Sequence, residues 1–369
     1  MAIGISFNHR LCRGPGGNRC NVCEVPGRGK PTIADVAALA GVSVAAVSKA
    51  VNGKGGISAP TRDRILTAAS KLRWTPSAAA VALRGAKTRA IGMVAGRTPD
   101  LLSADPHFTL LITGIESELA PLGYGLLLHI VGEAPGAEEA AYRRLADERR
   151  VDGVVLTESR VGDTRFELLR DLGLDTVLIG TPWRDDPVPS VRSPGQAGGV
   201  HAAVEHLVAL GHRRIAYVSG PEDRVHTRHR RRVAEEALAA HDLAPSHSLV
   251  SDFTAAGAAD AVEALLADHR RPTAVLFAND SMAVAGMSAA RRVGVDVPGG
   301  LSVIGHDDLP LGELVHPRLT TVRQDLVGLG RAAARVLLAA LGEVDDATVD
   351  IRPPELVVRE STGPAPGSR

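Results

Sequence analysis

The sequence of 369 residues predicts a small all-α head that contains a helix-turn-helix, followed by an α/β body of two lobes, each a doubly wound parallel sheet. Residues 31–75 contain three short amphipathic segments separated by capping residues and glycines, a pattern typical of a small helical bundle. From Ala90 onward, apolar strand-like runs alternate with amphipathic helical runs, which is typical of parallel sheets covered by helices. The alternation is too long for one sheet of ordinary size, so it predicts two lobes.

Capping residues set the expected limits of the three helices of the head. Thr32 is expected to cap the first helix, and Ser43 is expected to cap a second helix that runs to about residue 52. After a glycine-rich loop, the third helix begins at Ser58 or Thr61. The residues expected to face inward are Ile33, Val36, Ala37, Leu39, Val47, Ala50, Ile65, Leu66, Ala69 and Leu72.

The segment Thr32–Asn52 has the residue types that a helix-turn-helix requires. Ala37 is small enough for two helices to pack closely, Gly41 permits the turn, and Val42 fills the corner. The second helix can then lie in a major groove with its outward side chains facing base edges. Those side chains are Val44, Ala45 and Lys49. On geometry alone, an ordinary helical hairpin remains the alternative.

The body is predicted to contain seven strands and eight helices. The strands are Ala90–Ala95, Gly125–Val131, Gly153–Leu156, Thr176–Ile179, Arg214–Val218, Ala274–Ala278 and Leu301–Gly305. The helices between them are Thr109–Leu122, Ala137–Glu148, Arg165–Leu172, Ala197–Leu210, Arg230–His241, Ala255–Leu266 and Ser281–Val293. A last helix is expected over residues 321–345, the stretch 181–195 is expected to separate the lobes, and residues 364–369 are expected to be a loose tail.

Charge is divided unequally along the chain, although the formal net charge is zero. Residues 1–89 contain 14 Lys and Arg against 3 Asp and Glu, a net charge of +11, and the rest of the chain carries −11. A basic head on an acidic body favours contact with nucleic acid, with a solvated basic surface as the alternative.

Residues 1–29 are expected to be a disordered leader, or the product of a start codon assigned too far upstream, because they show no apolar period. The candidate zinc ligands there are His9, Cys12, Cys20 and Cys23, but one CxxC without a supporting hairpin does not predict a metal site. The chain has no apolar run of 18 residues and no signal-peptide pattern, so a cytoplasmic protein without a membrane partner is expected. No GxGxxG, GxxxxGKS/T, GxSxG or HExxH motif occurs, so neither an enzyme nor a cofactor is predicted.

Long stretches of the sequence resemble one known family. TIADVAALAGVSVAAVSKAVN and SAPTRDRILTAASKLRWTPSAAAVALRGAKTRAIGMV are followed in order by GVHAAVEHLVALGHRRIAYVSGPEDR, PTAVLFANDSMAVAGMSAARRVGVDVP, LSVIGHDDLPL and HPRLTTVRQDLVGLGRAA. From about Pro31 to Glu360 the chain is similar to the LacI/GalR family of bacterial repressors. The resemblance implies a sequence-specific DNA-binding regulator whose two lobes are like those of periplasmic sugar-binding proteins. It also implies a small effector between the lobes, by default a sugar or sugar derivative.

The same resemblance implies roles for residues of the head. The side chains expected to contact phosphates are Thr32, Ser43, Ser48 and Asn52. Lys49 stands where the family usually has Arg, and it can donate to guanine O6 or N7 as a point donor. Val44 and Ala45 can touch a thymine methyl but cannot hydrogen-bond a base through their side chains.

Residues 76–85 correspond to the hinge of the family. Leu83 falls where a leucine is inserted between base steps through the minor groove, and Ser77 replaces the common Asn. Two hinges must meet at the centre of a near-palindromic operator, so a homodimer is expected. The implied division is a leader 1–29, a helix-turn-helix domain 30–75, a hinge and linker 76–89, an effector-binding and dimerisation domain 90–361 and a tail 362–369.

The implied effector pocket takes residues from both lobes. They are Phe108, His226, Arg230, Phe253, Asn279, Asp307 and Gln324, with Arg160 and Trp183 as further candidates. Alternatively, Asp307 and Asn279 only cap turns, and Arg230 belongs to the basic run 228–232. The chain departs from the family at Ser193–Pro194, Val233 and His306, so the identity of the effector stays open.

Three further alternatives stay open at the level of function. The sequence does not decide between induction, corepression and activation by the effector. A transport receptor would share the two lobes, but it would need a secretion signal and no head. No leucine heptads follow residue 345, so a dimer rather than a tetramer is expected.

Overall fold

A computed structural model describes residues 31–51, 56–75, 87–97, 106–132, 134–184 and 187–367. The chain divides into two compact units, residues 1–86 and residues 87–369. Several predicted features lie outside the described residues. They are the leader with His9, Cys12, Cys20 and Cys23, the phosphate contact Asn52, and the hinge residues Ser77 and Leu83.

The described part of the head consists of three helices, α1 Ile33–Ala40, α2 Val44–Val51 and α3 Ala59–Lys71. Thr32 caps α1 in a capping box, because its hydroxyl accepts from the amide of Asp35 and the Asp35 carboxylate accepts from the amide of Thr32. Gly41 ends α1 in the left-handed conformation at φ 65°, and the chain bends by 101° into α2.

The three helices share a narrow apolar core. Val36, Val47 and Ile65, one from each helix, have no exposed surface. The prediction that Leu39 and Leu66 face inward is wrong, because these residues are 53% and 47% exposed. Each lies one position away from a buried stripe, and successive residues of a helix are rotated by about 100°.

The first lobe contains a parallel sheet of five described strands in the order β2–β1–β3–β4–β5. The strands are β1 Ala90–Ala95, β2 Gly125–Ile130, β3 Gly153–Thr157, β4 Asp175–Ile179 and β5 Ser190–Val191. The helices between them are α4 Pro106–Leu119, α5 Ala137–Asp147 and α6 Arg165–Asp171. Apolar clusters cover both faces of the sheet, which explains why its central strands are continuous apolar runs.

The second lobe contains a sheet of six described strands in the order β11–β10–β9–β8–β6–β7, parallel except for β11. The strands are β6 Ile215–Ser219, β7 His247–Val250, β8 Ala274–Phe277, β9 Ser302–Asp307, β10 Thr320–Arg323 and β11 Glu355–Val357. The helices are α7 Gly198–Ala209, α8 Val225–Ala239, α9 Ala255–Ala267, α10 Asp280–Arg292 and the short α11 Leu311–Leu314.

The chain passes between the lobes three times. It leaves the first lobe between β5 and α7, close to the end of the predicted boundary 181–195. It returns in α12 Leu326–Ala340, which packs on α4 in the core of the first lobe, and it crosses again before β11. The prediction of one helix over residues 321–345 is therefore wrong at both ends, because β10 occupies its first residues and the helix ends at Ala340.

The end of the described chain packs against the second lobe. The amide of Ala365 donates to the carbonyl of Leu210 at 2.9 Å, and the amide of Gly363 donates to Ser302 Oγ at 3.0 Å. The predicted loose tail is therefore attached at least as far as Ala365. No single described helix is long and apolar enough to cross a membrane, and only the sharply bent pair α1 and α2 meets those limits when counted together.

Candidate functional site

A cavity of about 100 Å³ lies between the two lobes, next to the carboxyl ends of β1, β3, β8 and β9. At about 30 Å³ for each water molecule, it has room for about three waters, or for one small polar ligand. Apolar side chains of the first lobe and of α12 line one part of it, and polar and charged side chains of both lobes line the rest. The carboxyl edge of parallel strands is the usual place for a ligand in such sheets.

Six of the seven predicted pocket residues line this cavity. They are His226, Arg230, Phe253, Asn279, Asp307 and Gln324. The seventh, Phe108, lies outside the lining, 2% exposed in the core of the first lobe, and its neighbour His107 lines the cavity instead. The further candidates Arg160 and Trp183 are not in the lining either.

Asp307 is the central acceptor of the cavity. It has a left-handed backbone with φ 109°, and its Oδ1 accepts a hydrogen bond from Gln324 Nε2 at 2.7 Å. Arg230 Nη2 lies 3.9 Å from Oδ1, and His107 Nδ1 lies 3.7 Å from Oδ2. Burial alone would raise the pKa of Asp307, but His107 and Arg230 hold it well below its usual range. Asp307 is therefore a buried anion that can accept from a ligand hydroxyl.

The turn after Asp307 is fixed from outside the cavity. Asp308, at φ 56°, accepts from Arg323 Nε at 2.6 Å and from Arg359 Nη2 at 2.6 Å. The buried Asp280 accepts from the amide of Leu309 at 2.6 Å. Burial raises the pKa of Asp280 well above its ordinary value, and the charge of Asp307 acts in the same direction. Backbone in this region of φ persists where the surroundings hold it, and these contacts do so here.

Asn279 is both a helix cap and a lining residue of the cavity. Its Oδ1 accepts from the amide of Met282 at 2.8 Å and so caps α10, while the residue also lines the cavity. Arg230 likewise leaves the basic run of α8 to reach the cavity, where its Nη1 donates to the carbonyl of Ala278 at 3.0 Å.

A buried ion pair that sequence reasoning missed forms one wall of the cavity. Arg97 Nη2 donates to both carboxylate oxygens of Glu158, at 2.5 and 2.6 Å. The guanidinium lies over the rings of Phe108 and Phe253, at 5.0 and 5.5 Å from their centroids. Burial alone would raise the pKa of Glu158, but Arg97 holds it well below its usual range. Glu158 directly follows β3 and Arg97 lies two residues after the end of β1, and these positions at the ends of strands were the available signal.

An aromatic pair forms the wall of the second lobe. The rings of His226 and Phe253 are stacked, with centroids 6.0 Å apart and an interplanar angle of 15°. Phe253 has φ 67°, and its ring lies so close to Gly220 that a Cβ at Gly220 would overlap it. Burial lowers the pKa of His226 to about 3, so the ring is neutral at neutral pH.

Two buried hydroxyls of the first lobe line the cavity without a hydrogen-bond partner among the described residues. They belong to Ser159 and Ser193, which are 2% and 4% exposed. Buried polar groups are almost always hydrogen-bonded in folded proteins, so these hydroxyls are suited to a ligand. The site can therefore bind a small hydroxyl-bearing molecule by directional hydrogen bonds, with Phe253 against an apolar face.

The predicted DNA-binding side chains within the described residues lie at the start of α1, at the turn and on α2. Val44, Ala45 and Lys49 are exposed, as are Thr32 and Ser43, while Ser48 is half-buried. The hydroxyls of Thr32 and Ser43 accept from helix amides, at 3.4 Å from Asp35 and 3.2 Å from Ala46. Within the described residues, no group of three His, Cys, Asp or Glu side chains could hold a metal ion.

Two family models match the chain. The model described as bacterial regulatory proteins, lacI family, matches residues 32–77, and the model described as a periplasmic binding protein-like domain matches residues 204–362. The HTH-type transcriptional regulator MalR of Streptomyces coelicolor is 36% identical over 349 residues, which cover 91% of this chain and 98% of that protein. The HTH-type transcriptional repressor PurR of Aliivibrio fischeri is 32% identical over 337 residues, which cover 89% of this chain and 98% of that protein.

Solved structures give the same result. The Lac repressor dimer bound to operator and the anti-inducer ONPF has a TM-score of 0.78 at 27% identity and covers 91% of this chain and 100% of that chain. The complex of the transcriptional regulator CelR with cellobiose has a TM-score of 0.66 at 30% identity and covers 90% and 99%. With a helix-turn-helix, two lobes around a polar cavity and relatives aligned over nine-tenths of its length, this chain belongs to the LacI family of bacterial transcriptional regulators.

Proposed function

We propose that this regulator is a repressor that binds a near-palindromic operator as a homodimer and is controlled by a small effector in the interlobe cavity. The observation that carries the proposal is that one chain combines a helix-turn-helix, whose second helix has an exposed outer face, with a polar cavity between two lobes. Two relatives support it, since one was solved as a dimer on its operator and another was solved with cellobiose.

On the DNA side, α2 is proposed as the recognition helix. Val47 anchors it in the core of the head, which leaves Lys49 free to approach a guanine edge and Val44 to touch a thymine methyl. Thr32, Ser43 and Ser48 are proposed phosphate contacts, and for Thr32 and Ser43 the amides of the helix ends that they border are proposed to contribute. Asn52, Ser77 and Leu83 are included from the family resemblance, with residues 76–89 as the hinge.

On the effector side, we assign ligand contact to the six predicted pocket residues that line the cavity. Asp307, Arg230 and Asn279 offer an acceptor and donors to hydroxyl groups, and Phe253 offers a ring. A sugar or sugar derivative fits this chemistry. Phe108 is proposed to act from the core, by supporting Arg97, rather than by touching the effector.

The remaining assignments follow from the role of a regulator. Residues 30–75 are proposed to bind DNA, and residues 90–361 are proposed to bind the effector and to dimerise. The known relatives are transcriptional regulators, and we propose that this chain has no catalytic activity. A protein that acts on the chromosome of a bacterium works in the cytoplasm, and we propose that location.

The experiment is a gel shift of the full chain on the DNA upstream of its own gene, with excess unrelated DNA as competitor. We expect a specific, salt-dependent shift that Lys49→Ala weakens by about 1–3 kcal/mol. Lys71→Ala, which removes an exposed charge at the end of α3, is the matched control and is expected to change binding less. A shift that unrelated DNA abolishes equally well would contradict the proposal.

Adding candidate sugars to the same reaction decides the sign of regulation. Release of DNA by a ligand identifies an inducer, whereas a ligand that strengthens the shift identifies a corepressor. A protein that binds a sugar but no DNA under any of these conditions would have to be reassigned as a binding receptor.

A further inference from the structure

A short backbone bridge joins the two lobes beside the cavity. The amide of Val161, in the loop after β3, donates to the carbonyl of Asp223 at 2.7 Å. The amide of Val225 donates in return to the carbonyl of Ser159 at 3.0 Å, so residues 160 and 224 form an isolated antiparallel bridge. Both hydrogen bonds use main-chain groups, and each runs from one lobe to the other.

On the side of the first lobe, ion pairs fix the loop that carries the bridge. Arg160 pairs with Glu138 through two hydrogen bonds, and its amide donates to Asp163 Oδ2 at 3.1 Å. Arg165 donates to both oxygens of Asp163, at 2.9 and 2.7 Å, and to the carbonyl of Glu158 at 2.6 Å. Charge-assisted bonds of this kind hold the loop in place.

On the side of the second lobe, the bridge completes the start of α8. Val225 is the first residue of α8, and amides in the first turn of a helix have no partner within the helix. Arg224, at the N-cap position, makes no side-chain capping hydrogen bond. The amide of Val225 therefore finds its acceptor, Ser159, in the other lobe. The same helix carries the cavity residues His226 and Arg230.

Two of the other close contacts across the cleft use side chains that line the cavity, whereas a third, Arg228 over the ring of Trp183 at 5.9 Å from its centroid, lies outside the lining. Arg97 of the first lobe lies over the ring of Phe253 of the second lobe, and His107 of the first lobe lies 3.7 Å from Asp307 of the second. An effector in the cavity would compete for these side chains. Val161, Asp223 and Val225 do not line the cavity, and Ser159, which does line it, enters the bridge through its main-chain carbonyl and not through its unpartnered hydroxyl. The bridge hydrogen bonds can therefore form whether or not the cavity is occupied.

We propose that the bridge between residues 159–161 and 223–225 is an effector-independent clasp, which keeps the cleft closed in the empty protein and fixes the start of α8 against the first lobe. The regulatory part of this inference rests on the proposed function, because a clasp on the lobes affects DNA binding only where the lobes control it. A ligand shifts the equilibrium between the open and closed lobes only if it binds one arrangement more tightly than the other. The clasp sets the fraction of closed protein before the effector binds.

The test is Val225→Pro, which removes one donor of the clasp with little other change. Proline is favoured at the first position of a helix, and Arg224 before it has the extended backbone that proline requires, with φ −93° and ψ 129°. Ala255→Pro is the matched control. Ala255 is the first residue of α9, Thr254 before it is also extended with φ −83° and ψ 155°, and α9 takes no part in the bridge.

The first readouts use the effector-free full chain. Hydrogen exchange of the Val161 amide is expected to be about tenfold faster in Val225→Pro than in the wild type. The radius of gyration from small-angle scattering is expected to increase in Val225→Pro alone. Equal exchange rates and equal radii in the wild type and both variants would overturn the clasp.

The second readout is the gel shift on the upstream DNA. Val225→Pro is expected to change the Kd for this DNA about fivefold, and Ala255→Pro is expected to leave it unchanged. A higher Kd in Val225→Pro identifies the closed lobe arrangement as the one that binds DNA, and a lower Kd identifies the open arrangement. A Val225→Pro protein that is opened but binds DNA like the wild type would overturn the regulatory role. If the wild type shows no specific DNA binding, the proposed function fails. The hydrogen-exchange and small-angle scattering measurements still test the clasp in that case.

Discussion

At the scale of the residue, the buried carboxylates of the cavity are paired with arginines of the same protein, and the buried histidine rings near them are neutral. Asp307 is balanced by Arg230 and Glu158 by Arg97, so these carboxylates stay ionised in a buried place. Burial, followed by the charge of Arg230, lowers the pKa of His306 to about 3, although Asp307 acts in the opposite direction, and the residue is 5% exposed. Such a neutral buried ring makes folding stability depend on pH.

The pH dependence of His306 has a definite sign. The unfolded ring binds a proton below about pH 6.5, whereas the folded ring stays neutral down to about pH 3. Above pH 6.5 the ring is neutral in both the folded and the unfolded state, so it has no effect on the free energy of unfolding. As the pH falls from 6.5 towards 3, only the unfolded state gains a proton, and the free energy of unfolding decreases. Between pH 7.5 and pH 5.0 this loss amounts to about 2 kcal/mol, and His306→Gln should remove it.

The measurement is urea unfolding of the wild type and His306→Gln at both pH values. Asp280 acts with the opposite sign, because its raised pKa makes stability fall as the pH rises, so the difference between variant and wild type is the relevant quantity. His269→Gln is the control, since that side chain is 86% exposed. An equal loss between the two pH values in His306→Gln and wild type would contradict the neutral buried ring.

The sequence could place polar candidates of the second lobe better than those of the first. Arg230, Asp307 and Gln324 were found through resemblance to a family, and they line the cavity. Arg97 and Glu158 reach it through a pairing between two loops that are some sixty residues apart in sequence. Such a pairing depends on strand order in the sheet, which local patterns do not contain.

At the scale of the element, the contact between α4 and α12 joins two distant parts of the chain in the core of the first lobe. Both helices have a glycine at the crossing. A Cβ at Gly114 would overlap the carbonyl oxygen of Val327, and a Cβ at Gly330 would overlap the carbonyl oxygen of Leu111. The helix backbones can therefore approach closely only while both positions lack a side chain.

Gly330→Ala is expected to destabilise the protein by about 1–3 kcal/mol or more, because the atom that it would meet is backbone and cannot rotate away. The measurement is the free energy of unfolding in urea. Gly198→Ala at the start of α7 is the matched control, since a Cβ there has no atom within 4 Å. Helix propensity alone would make either substitution neutral or favourable, so equal stability of the two variants would contradict the close crossing.

Long apolar strands and capped helices could be predicted from the sequence, and short strands could not. β1 begins and ends at the residues predicted for it, and Thr32 caps α1 as expected. β7 and β10 have four residues each and were missed. β10 exists because it pairs with β9 on one side and β11 on the other, and tertiary pairing overrides so short a local pattern.

At the scale of the whole molecule, the opposite charges of the two parts have a consequence for DNA binding. Residues 1–89 carry a net charge of +11 and the rest of the chain carries −11, so the total charge of zero gives no general attraction to DNA. Affinity for phosphates must then come from where the cations lie, and each cation–phosphate contact releases counterions. Binding should therefore weaken with salt in proportion to the number of contacts made by the head.

Two substitutions that change the net charge equally, at different positions, distinguish the effect of where a charge lies from the effect of the net charge of the protein. Lys49→Glu reverses an exposed charge on α2, and Arg232→Glu reverses a charge on α8 whose side chain is 68% exposed. Lys49→Glu should weaken binding to the upstream DNA and make the slope of log Kd against log salt shallower by about 1, because a cation beside the duplex is lost. Arg232→Glu should leave both unchanged, because Arg232 belongs to the unit 87–369 and not to the head that is proposed to contact the DNA. Equal effects of the two substitutions in fluorescence anisotropy titrations from 50 to 200 mM salt, roughly the range over which such contacts are resolved, would mean that total charge governs binding and that α2 does not lie against the DNA.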